Sequence, residues 1–307
     1  MIVAVCLNPA SDVTYGVADL DPHSSHRVLS VQRRAGGKGV NVARVLHQLG
    51  IPSMVIGLAP AGGERSIAAD LAGDGIDGRF ADVAGVLRQS VAVVDPGGAT
   101  VFNEPGPVVT PAEWADFLEL FDLSVIGADV VVLSGSVPRS LGADAYATLV
   151  RRAHAAGART VIDAEGPVLE QALPVGPSVA KPNRDEAAGF LGRPVTGVED
   201  AHEAARRVIA AGAGAAIISL GEQGMVARTG DRGYTVTVPE ILSGNPTGAG
   251  DALAAVVALG LANNEPWPQL LRNGAAVSAA AVVMPLAGEF DPTTADHLRP
   301  QIRIEES

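Results

Sequence analysis

The spacing of apolar and polar residues differs from one segment of this chain to the next. Residues 2–7 form one continuous apolar run, which is typical of a strand buried at the centre of a parallel sheet. From residue 106 onward, strand-like runs alternate with helical stretches, and this alternation predicts an α/β fold with a mostly parallel, doubly wound sheet. The predicted strands of this part are 129–134, 159–163, 178–181, 215–220 and 225–228. The predicted helices lie near 111–122, 142–156, 184–191, 199–211, 249–262, 266–285 and 293–300.

Two segments depart from this alternation. Residues 13–34 and 88–103 alternate apolar and polar positions, as half-exposed strands do. We expect them to meet as one small antiparallel β-sheet that covers a ligand site as a lid. The other face of such a sheet needs a partner, so we also expect a homodimer through the lid. The predicted division is a core of 1–11, 35–86 and 105–307, and a lid of 12–34 and 87–104.

Composition narrows the classes of partner. The chain has 307 residues, of which 47% are hydrophobic, so it can bury a large core. Its formal charge of −12 argues against a nucleic-acid partner and against binding to an anionic membrane. Cys6 is the single cysteine and the six histidines lack metal-ligand spacing, so we expect no disulfide and no metal cluster. We find neither a signal peptide nor a membrane span, and expect a cytoplasmic protein.

The glycine-rich stretch 244–251 runs directly into the apolar segment 252–259, an order that predicts a loop opening a helix. The free N–H groups and the positive end of the helix dipole would collect at Gly248, Ala249 and Gly250, which are small enough for a phosphate to approach. Asp251 is then placed to act as general base for a hydroxyl that attacks the γ-phosphate. A carboxylate that the dipole favours in the first turn is the alternative, and the residues alone leave both open.

A second glycine-rich loop, at 35–46, also leads into a helix. It is not a Walker P-loop, because the glycine and lysine spacing differs and no serine or threonine follows the lysine. Its glycines would let the backbone approach a ligand, and Asn41 offers both donors and acceptors, although a structural turn would read the same way. Asp12 follows the first core strand, at the sheet edge where α/β folds bind ligands; a solvated loop carboxylate is the alternative.

Polar or glycine residues end several of the later strands. Ordinary strand-exit turns would look alike, but together these exits would line the carboxyl edge of one sheet with hydroxyls, amides and carboxylates. They are Ser134-Gly135-Ser136, Asp163-Ala164-Glu165-Gly166, Lys181-Pro182-Asn183 with Glu186 one turn later, and the residues from Ser219 to Gly224.

The two glycine-rich loops and five shorter motifs resemble, in their sequence and in their order along the chain, those of a known family. The loops are similar to the two signatures of the ribokinase/phosphofructokinase-B carbohydrate kinases. The shorter motifs resemble the branch that holds 1-phosphofructokinase and tagatose-6-phosphate kinase. They are Leu7-Asn8-Pro9, Asn103-Glu104-Pro105-Gly106-Pro107, Leu133-Ser134-Gly135-Ser136, Lys181-Pro182-Asn183 and Ser219-Leu220-Gly221, and the match covers nearly the whole chain.

The resemblance implies a ribokinase-like core with a β-sheet lid that often dimerises, MgATP as phosphoryl donor, and a sugar or sugar phosphate as acceptor. It makes Asp251 the general base, and Gly248, Ala249 and Gly250 the anion hole. The implied substrate-binding residues are Asp12, Gly36, Gly37, Lys38, Asn41, Arg27, Arg88 and Ser136, with Lys38, Arg27 and Arg88 on the acceptor's own phosphate. The implied ATP-binding residues are Lys181, Asn183, Glu186, Ser219, Gly221, Gly224, Gly248 and Gly250. No side chain ligates a metal directly, and Mg²⁺ is reached through water near Asn183 and Glu186.

Three functions remain open at this point. The leading hypothesis is ATP-dependent phosphorylation of a ketohexose phosphate, either fructose 1-phosphate or tagatose 6-phosphate. A kinase of a free sugar or a nucleoside is the alternative, because Ser25 and Ala92 stand where related sugar-phosphate kinases often have lysine. A catalytically silent sugar-phosphate-binding protein is the third, and the joint presence of Asp251, Asn183 and Glu186 counts against it.

Overall fold

The first strand shows how an unbroken apolar run becomes a two-sided core. The computed structural model of the chain describes residues 1–61, 67–240 and 242–307. In it the first strand is buried from end to end, with Ala4 packed on one face of a sheet and Val3 and Val5 on the other. Because successive side chains of a strand point to opposite faces, such a run requires helices on both sides of the sheet.

The strands fall into two sheets. In chain order they are β1 (Ile2–Cys6), β2 (Ala10–Gly16), β3 (Ser30–Gly36), β4 (Ser53–Ala59), β5 (Asp77–Asp82), β6 (Arg88–Asp95), β7 (Gly98–Asn103), β8 (Val130–Ser134), β9 (Arg159–Asp163), β10 (Val179–Ala180), β11 (Ala215–Ser219), β12 (Met225–Thr229), β13 (Arg232–Thr237) and β14 (Arg303–Glu306). The main sheet runs in the order β14-β13-β12-β11-β10-β9-β8-β1-β4-β5. Its strands are parallel from β11 to β5 and antiparallel beyond β11. The mostly parallel α/β sheet predicted from the alternation is thus confirmed.

Helices cover both faces of the main sheet, as a doubly wound fold requires. They are α1 (Lys38–Gln48), α2 (Ile67–Gly73), α3 (Pro111–Ser124), α4 (Ala145–Ala155), α5 (Gly166–Ala172), α6 (Arg184–Leu191), α7 (Val198–Ala210), α8 (Ala249–Ala262), α9 (Trp267–Ala281) and α10 (Pro292–Leu298). One face is packed by α1, α2, α8, α9 and α10, and the other by α3 to α7. Among the helices in the described part of the chain, none is long and apolar enough to cross a bilayer.

The glycine-rich stretch 244–251 leads into α8, which spans Ala249–Ala262 as predicted. Its sequence is apolar all round, and accordingly most of its residues are buried between α1, α9 and the strands β8 and β9. The first residues of α8, Ala249 to Asp251, line the same cavity as Ser134 and Asp163, which end β8 and β9, so the N-terminus of α8 lies at the carboxyl edge of the parallel strands.

The small sheet has the strand order β3-β2-β6-β7. It consists of two antiparallel pairs, β2 with β3 and β6 with β7, which are joined by a parallel pairing of β2 with β6. The register sets Asp12, Ser90 and Asn103 side by side on one face, and Val91 and Phe102 side by side on the other. The two segments that were predicted to leave the main fold therefore do form a separate small sheet.

Some predicted elements are wrong in detail. Residues 21–29 are irregular and exposed, so Arg27 lies before β3 and not on a strand. The predicted helix near 266–285 ends at Ala281. The strands β13 and β14 and the short helix α5 were not predicted. The edge strand β14 is short and polar, and it is defined only by its pairing with β13.

Candidate active site

A cavity of 1440 Å³ opens at the carboxyl ends of the central strands and is lined by residues of both sheets. The predicted site residues that line it are Asp12, Gly37, Lys38, Asn41, Arg88, Ser136, Lys181, Asn183, Ser219, Gly221, Gly224, Gly248, Ala249, Gly250 and Asp251. Three predicted residues, Gly36, Arg27 and Glu186, are not among its lining residues. Parallel strands end at one edge, so loops that are far apart in the sequence converge here.

The N-terminus of α8 is open to the cavity. Gly248 precedes the helix in the left-handed region with a φ of 91°, and no side chain among the described residues caps the first turn. A Cβ on Gly248 would lie 2.8 Å from Cα of Ala287, so only glycine fits this position without a shift. The uncapped N–H groups of the first turn and the helix dipole together favour an anion.

Asp251 is buried in that first turn, with 5% of its surface exposed. The side-chain amide of Asn41 donates a hydrogen bond to its Oδ2 at 2.8 Å. Burial raises the pKa of Asp251 to about 7, with the Asp163 charge adding to the rise and Lys38 and Lys181 opposing it. A carboxylate with a pKa near neutrality is well matched to the work of a general base.

Asp163, the last residue of β9, holds both lysines of the chain. Its Oδ1 lies 3.4 Å from Nζ of Lys38 and 3.3 Å from Nζ of Lys181, and Ser134 donates to its Oδ2 at 3.4 Å. Burial alone would raise the pKa of Asp163, but Lys181 and Lys38 hold it below its usual value. Sequence reasoning placed Asp163 only in a strand-exit turn and missed this pairing. A signal was present, since a charged residue directly follows the apolar run of a core strand.

The end of the cavity nearest the small sheet is organised around Asp12. A Cβ on Gly36 would lie 2.0 Å from the carboxyl carbon of Asp12, so Gly36 makes room for this carboxylate and does not line the cavity itself. Burial raises the pKa of Asp12, and the charges of Arg34, Arg88 and Arg44 oppose the rise. Oxygen acceptors at this end suit the hydroxyl groups of a sugar.

Asn8, which the sequence analysis named only as part of a motif, links Arg88 to Ser136 through hydrogen bonds. Its backbone oxygen accepts from Nε of Arg88 at 3.0 Å, and its side-chain amide donates to Oγ of Ser136 at 3.0 Å. The side-chain oxygens of Asn8 and Asn41 are buried and lack a partner among the described residues. Because an unpaired buried acceptor is costly, both oxygens suit a donor supplied by a ligand or water.

Two further arginines differ in their access to the cavity. Arg139 lines the cavity from the turn after β8, and no hydrogen bond or ion pair of its side chain is found within 1–61, 67–240 and 242–307. Arg27, by contrast, is exposed and does not line the cavity of its own chain, so its contact with the acceptor stays a prediction.

Asn183 and Glu186 form a capping box at the start of α6. The side chain of Asn183 accepts from the N–H groups of Asp185 and Glu186, and Glu186 accepts from the N–H of Asn183 at 2.8 Å. This geometry holds the loop after β10 in one conformation. Oxygen donors that are already committed to the backbone are suited to a hydrated Mg²⁺ and not to direct ligation.

The opposite end of the cavity has an apolar wall that sequence reasoning missed. Its residues come from the loop after β13, from α9 and from the residue directly after α9, and they are Val238, Leu242, Ala275, Ala279 and Val282. Ser219, Gly221 and Gly224 border this wall. A Cβ on Gly224 would lie 2.1 Å from the backbone oxygen of Val236, so the turn beside the wall requires glycine. An apolar wall in the same cavity as an anion hole suits a nucleotide base and its phosphates.

Comparisons with known proteins agree with this geometry. A family model described as pfkB family carbohydrate kinase matches residues 2–294. A candidate phosphofructokinase from Staphylococcus aureus is 28% identical, with a TM-score of 0.83 over 100% of this chain and 99% of that one. The tetrameric inhibited form of phosphofructokinase-2 from Escherichia coli is 25% identical, with a TM-score of 0.88 over 98% of each chain. A possible 1-phosphofructokinase from Thermotoga maritima is 24% identical, with a TM-score of 0.90 over 100% of this chain and 99% of that one.

Proposed function

Because the chain belongs to the pfkB family of carbohydrate kinases and is therefore an ATP-dependent sugar kinase, we propose that its acceptor is a phosphorylated ketohexose, either fructose 1-phosphate or tagatose 6-phosphate. The similar structures support this choice, since each of them is described as a phosphofructokinase.

The observation that carries the proposal is that two guanidinium groups line the cavity, that of Arg88 from β6 and that of Arg139 from the turn after β8. Arg88 uses Nε for the backbone of Asn8, which leaves its terminal nitrogens for a ligand. Arg139 faces the same cavity, and neither arginine has an acidic partner within hydrogen-bonding distance in the described part of the chain. The protein has a formal charge of −12, so a dianionic phosphate needs local cations to bind. Each guanidinium group can donate two parallel hydrogen bonds to such a phosphate.

In the proposed mechanism, Asp251 accepts the proton of the attacking hydroxyl while Asn41 holds its carboxylate in place. The first-turn N–H groups at Gly248, Ala249 and Gly250 receive the charge that spreads over the transferred phosphoryl group. Asn183 and Glu186 would hold the Mg²⁺ of ATP through water, and the ion would supply positive charge to the phosphates there.

We also propose a homodimer through the small sheet. The face of this sheet away from Asp12 carries Tyr15, Val31 and Val93 side by side, next to Val91 and Phe102. Val31 is 47% exposed and Phe102 is 59% exposed, so this face is apolar and incompletely covered in one chain. A second copy of the same face would cover it, because an isologous contact pairs like with like.

The acceptor is tested with the purified full chain, MgATP and a panel of acceptors, by measuring ADP release. The panel contains fructose 1-phosphate, tagatose 6-phosphate, free fructose, free tagatose and a nucleoside. We expect kcat/KM for one sugar phosphate to exceed that of the matching free sugar by at least about tenfold, because charged hydrogen bonds to the phosphate are lost with the free sugar.

The absence of Arg27 from the cavity favours the free-sugar or nucleoside alternative, and the panel separates the two. If a free sugar or nucleoside turns over more efficiently than either sugar phosphate, the proposed acceptor is wrong while the kinase assignment stands. Inorganic phosphate should compete with a sugar phosphate for the acceptor site and should not compete with a free sugar.

A further inference from the structure

The chain contains only two lysines, Lys38 and Lys181, and both reach the same oxygen of Asp163. The carboxylate lies at the end of a core strand and is 2% exposed. Removing a carboxylate from water costs several kcal/mol, so a buried one persists only where cations compensate for the loss. Here two cations compensate for one anion, which leaves the group of three with a net positive charge.

The two ammonium groups lie beside the place where a phosphoryl group would be transferred. A Cβ on Gly250 would be 3.4 Å from Nζ of Lys181, so this ammonium borders the first turn of α8. Lys38 is the first residue of α1, lies against Gly135 and lines the cavity. Asp163, whose Oδ1 contacts both ammonium groups, also lines the cavity.

Electrostatics explains why a carboxylate is needed at this point. Two ammonium groups that face one site repel each other, and lysine side chains have enough rotatable bonds to move apart. An anion that both can reach removes this tendency and fixes both ammonium groups in one orientation. The contacts of 3.3 and 3.4 Å are longer than those of a close ion pair, which leaves each ammonium free to bind a phosphate as well.

We propose that Asp163 is a positioning residue for phosphoryl transfer, which holds the ammonium groups of Lys38 and Lys181 on either side of the transferred group. It acts through the lysines and does not itself contact the sugar. The proposal rests on the proposed function in one respect, since it assumes that Asp251 is the base beside this group.

The charge of Asp163 also acts on Asp251. The groups that face Asp251 are Lys38, Asp163, Asn41 and Lys181, and among them Asp163 is the one that raises its pKa, in addition to burial. Neutralising Asp163 therefore lowers the pKa of Asp251. The acid limb, which is the fall of kcat/KM with decreasing pH, then moves to lower pH. A residue that only stabilises the fold would change the amount of active protein and leave the limb in place.

The test is Asp163→Asn, which keeps the shape and removes the charge, compared with Asp163→Glu, which keeps the charge on a longer side chain. For Asp163→Asn we expect kcat to fall by about 10- to 100-fold, as when a charged hydrogen bond is lost, with smaller changes in KM. Its acid limb in kcat/KM should move to lower pH, whereas that of Asp163→Glu should stay. Asp144→Asn, an exposed N-terminal residue of α4 without a capping bond, controls for the loss of one negative charge.

Two results would overturn the proposal. One is an acid limb of Asp163→Asn at the wild-type position. The other is a KM for Mg²⁺ that rises in parallel with the loss of kcat, which would assign the carboxylate to the metal.

If Asp163→Asn does not fold, a double-mutant cycle of Asp163→Glu with Lys38→Met replaces it. The two changes should then be non-additive, because both loosen the same cluster, and additive losses would refute the coupling. Failure of the base assignment is seen separately, as activity that Asp251→Asn retains.

Discussion

The side-chain amide of Asn41 donates a 2.8 Å hydrogen bond to the carboxylate of Asp251, across 210 residues of sequence. Each residue lies in the first turn of the helix that follows its own glycine-rich loop, and each is 5% exposed. The two loops are therefore one site, in which the first loop orients the carboxylate that the second loop supplies.

Replacing Asp251 with asparagine should abolish most of the activity and spare ATP binding. The variant keeps the shape and a hydrogen bond but cannot accept a proton, and a general base contributes roughly 10²- to 10⁴-fold. We expect kcat to fall by about that factor, while the Kd for ATP holds or decreases because a negative charge beside the phosphates is removed. Turnover and ATP binding are measured on the same preparation. Wild-type turnover in this variant would exclude Asp251 as the base.

Activity should depend on pH through Asp251. Because burial raises its pKa to about 7, kcat/KM should fall about tenfold per pH unit below that value as the carboxylate is protonated. The folded pKa lies above the ordinary value of 3.8, so the folded state binds the proton more tightly between these two values. This group therefore lowers the stability of the fold progressively as the pH rises from about 4 to about 7.

The stability half of this prediction can be measured without substrate. The melting temperature of Asp251→Asn should exceed that of the wild type by a margin that grows between pH 5 and pH 8, because the variant has no buried charge to form. A margin that does not change with pH would show that Asp251 titrates normally.

Removing the orienting amide should shift the acid limb in the opposite direction from Asp163→Asn. The hydrogen bond from Asn41 lowers the pKa of Asp251, so Asn41→Ala should move the limb to higher pH. We expect kcat to fall about 10- to 100-fold, the effect of losing a hydrogen bond to a charged group. Asn273→Ala, which removes an amide from α9 that binds Glu265, is the matched control. If Asn41→Ala leaves the acid limb at the same pH as its control Asn273→Ala does, Asn41 does not set the pKa of Asp251.

Truncating the two arginines should weaken binding of the phosphorylated acceptor alone. Arg88→Ala and Arg139→Ala should each raise the KM for the sugar phosphate by about 10- to 100-fold and leave the KM for ATP nearly unchanged. Arg151→Ala, on the exposed face of α4, controls for the loss of one positive charge. Equal changes in the two KM values would instead point to a general loosening of the site.

A charge on the outer face of the small sheet should separate a dimer. Phe102→Glu should yield monomers in sedimentation at micromolar concentration, with weaker acceptor binding, because the lid loses its support. Leu123→Glu introduces the same charge at a residue that is 71% exposed on α3, and should leave assembly unchanged. A wild-type chain that sediments as a monomer with full activity would contradict the dimer.

Sequence alone determined the architecture, because the apolar segments that form its strands and helices are also the segments that must be buried. An apolar run as continuous as Ile2–Cys6 can be buried only inside a parallel sheet, and the apolar helix Ala249–Ala262 can be buried only against it. The two glycine-rich loops were each predicted to lead into a helix, and α1 and α8 do begin there.

Tertiary structure alone decided which side chains meet at that edge. Asp163 reaches both lysines because β9 lies between β8 and β10, and this strand order cannot be read from the chain. Asn8, Arg139 and the apolar wall of the cavity escaped prediction because each acquires its place from a distant loop. Arg27 was misplaced because an alternating pattern is necessary for a strand but not sufficient, and pairing with Gly16 begins only at Ser30. Contacts between distant segments depend on the packing of the whole domain, and it is these contacts that set the charges and pKa values of the site.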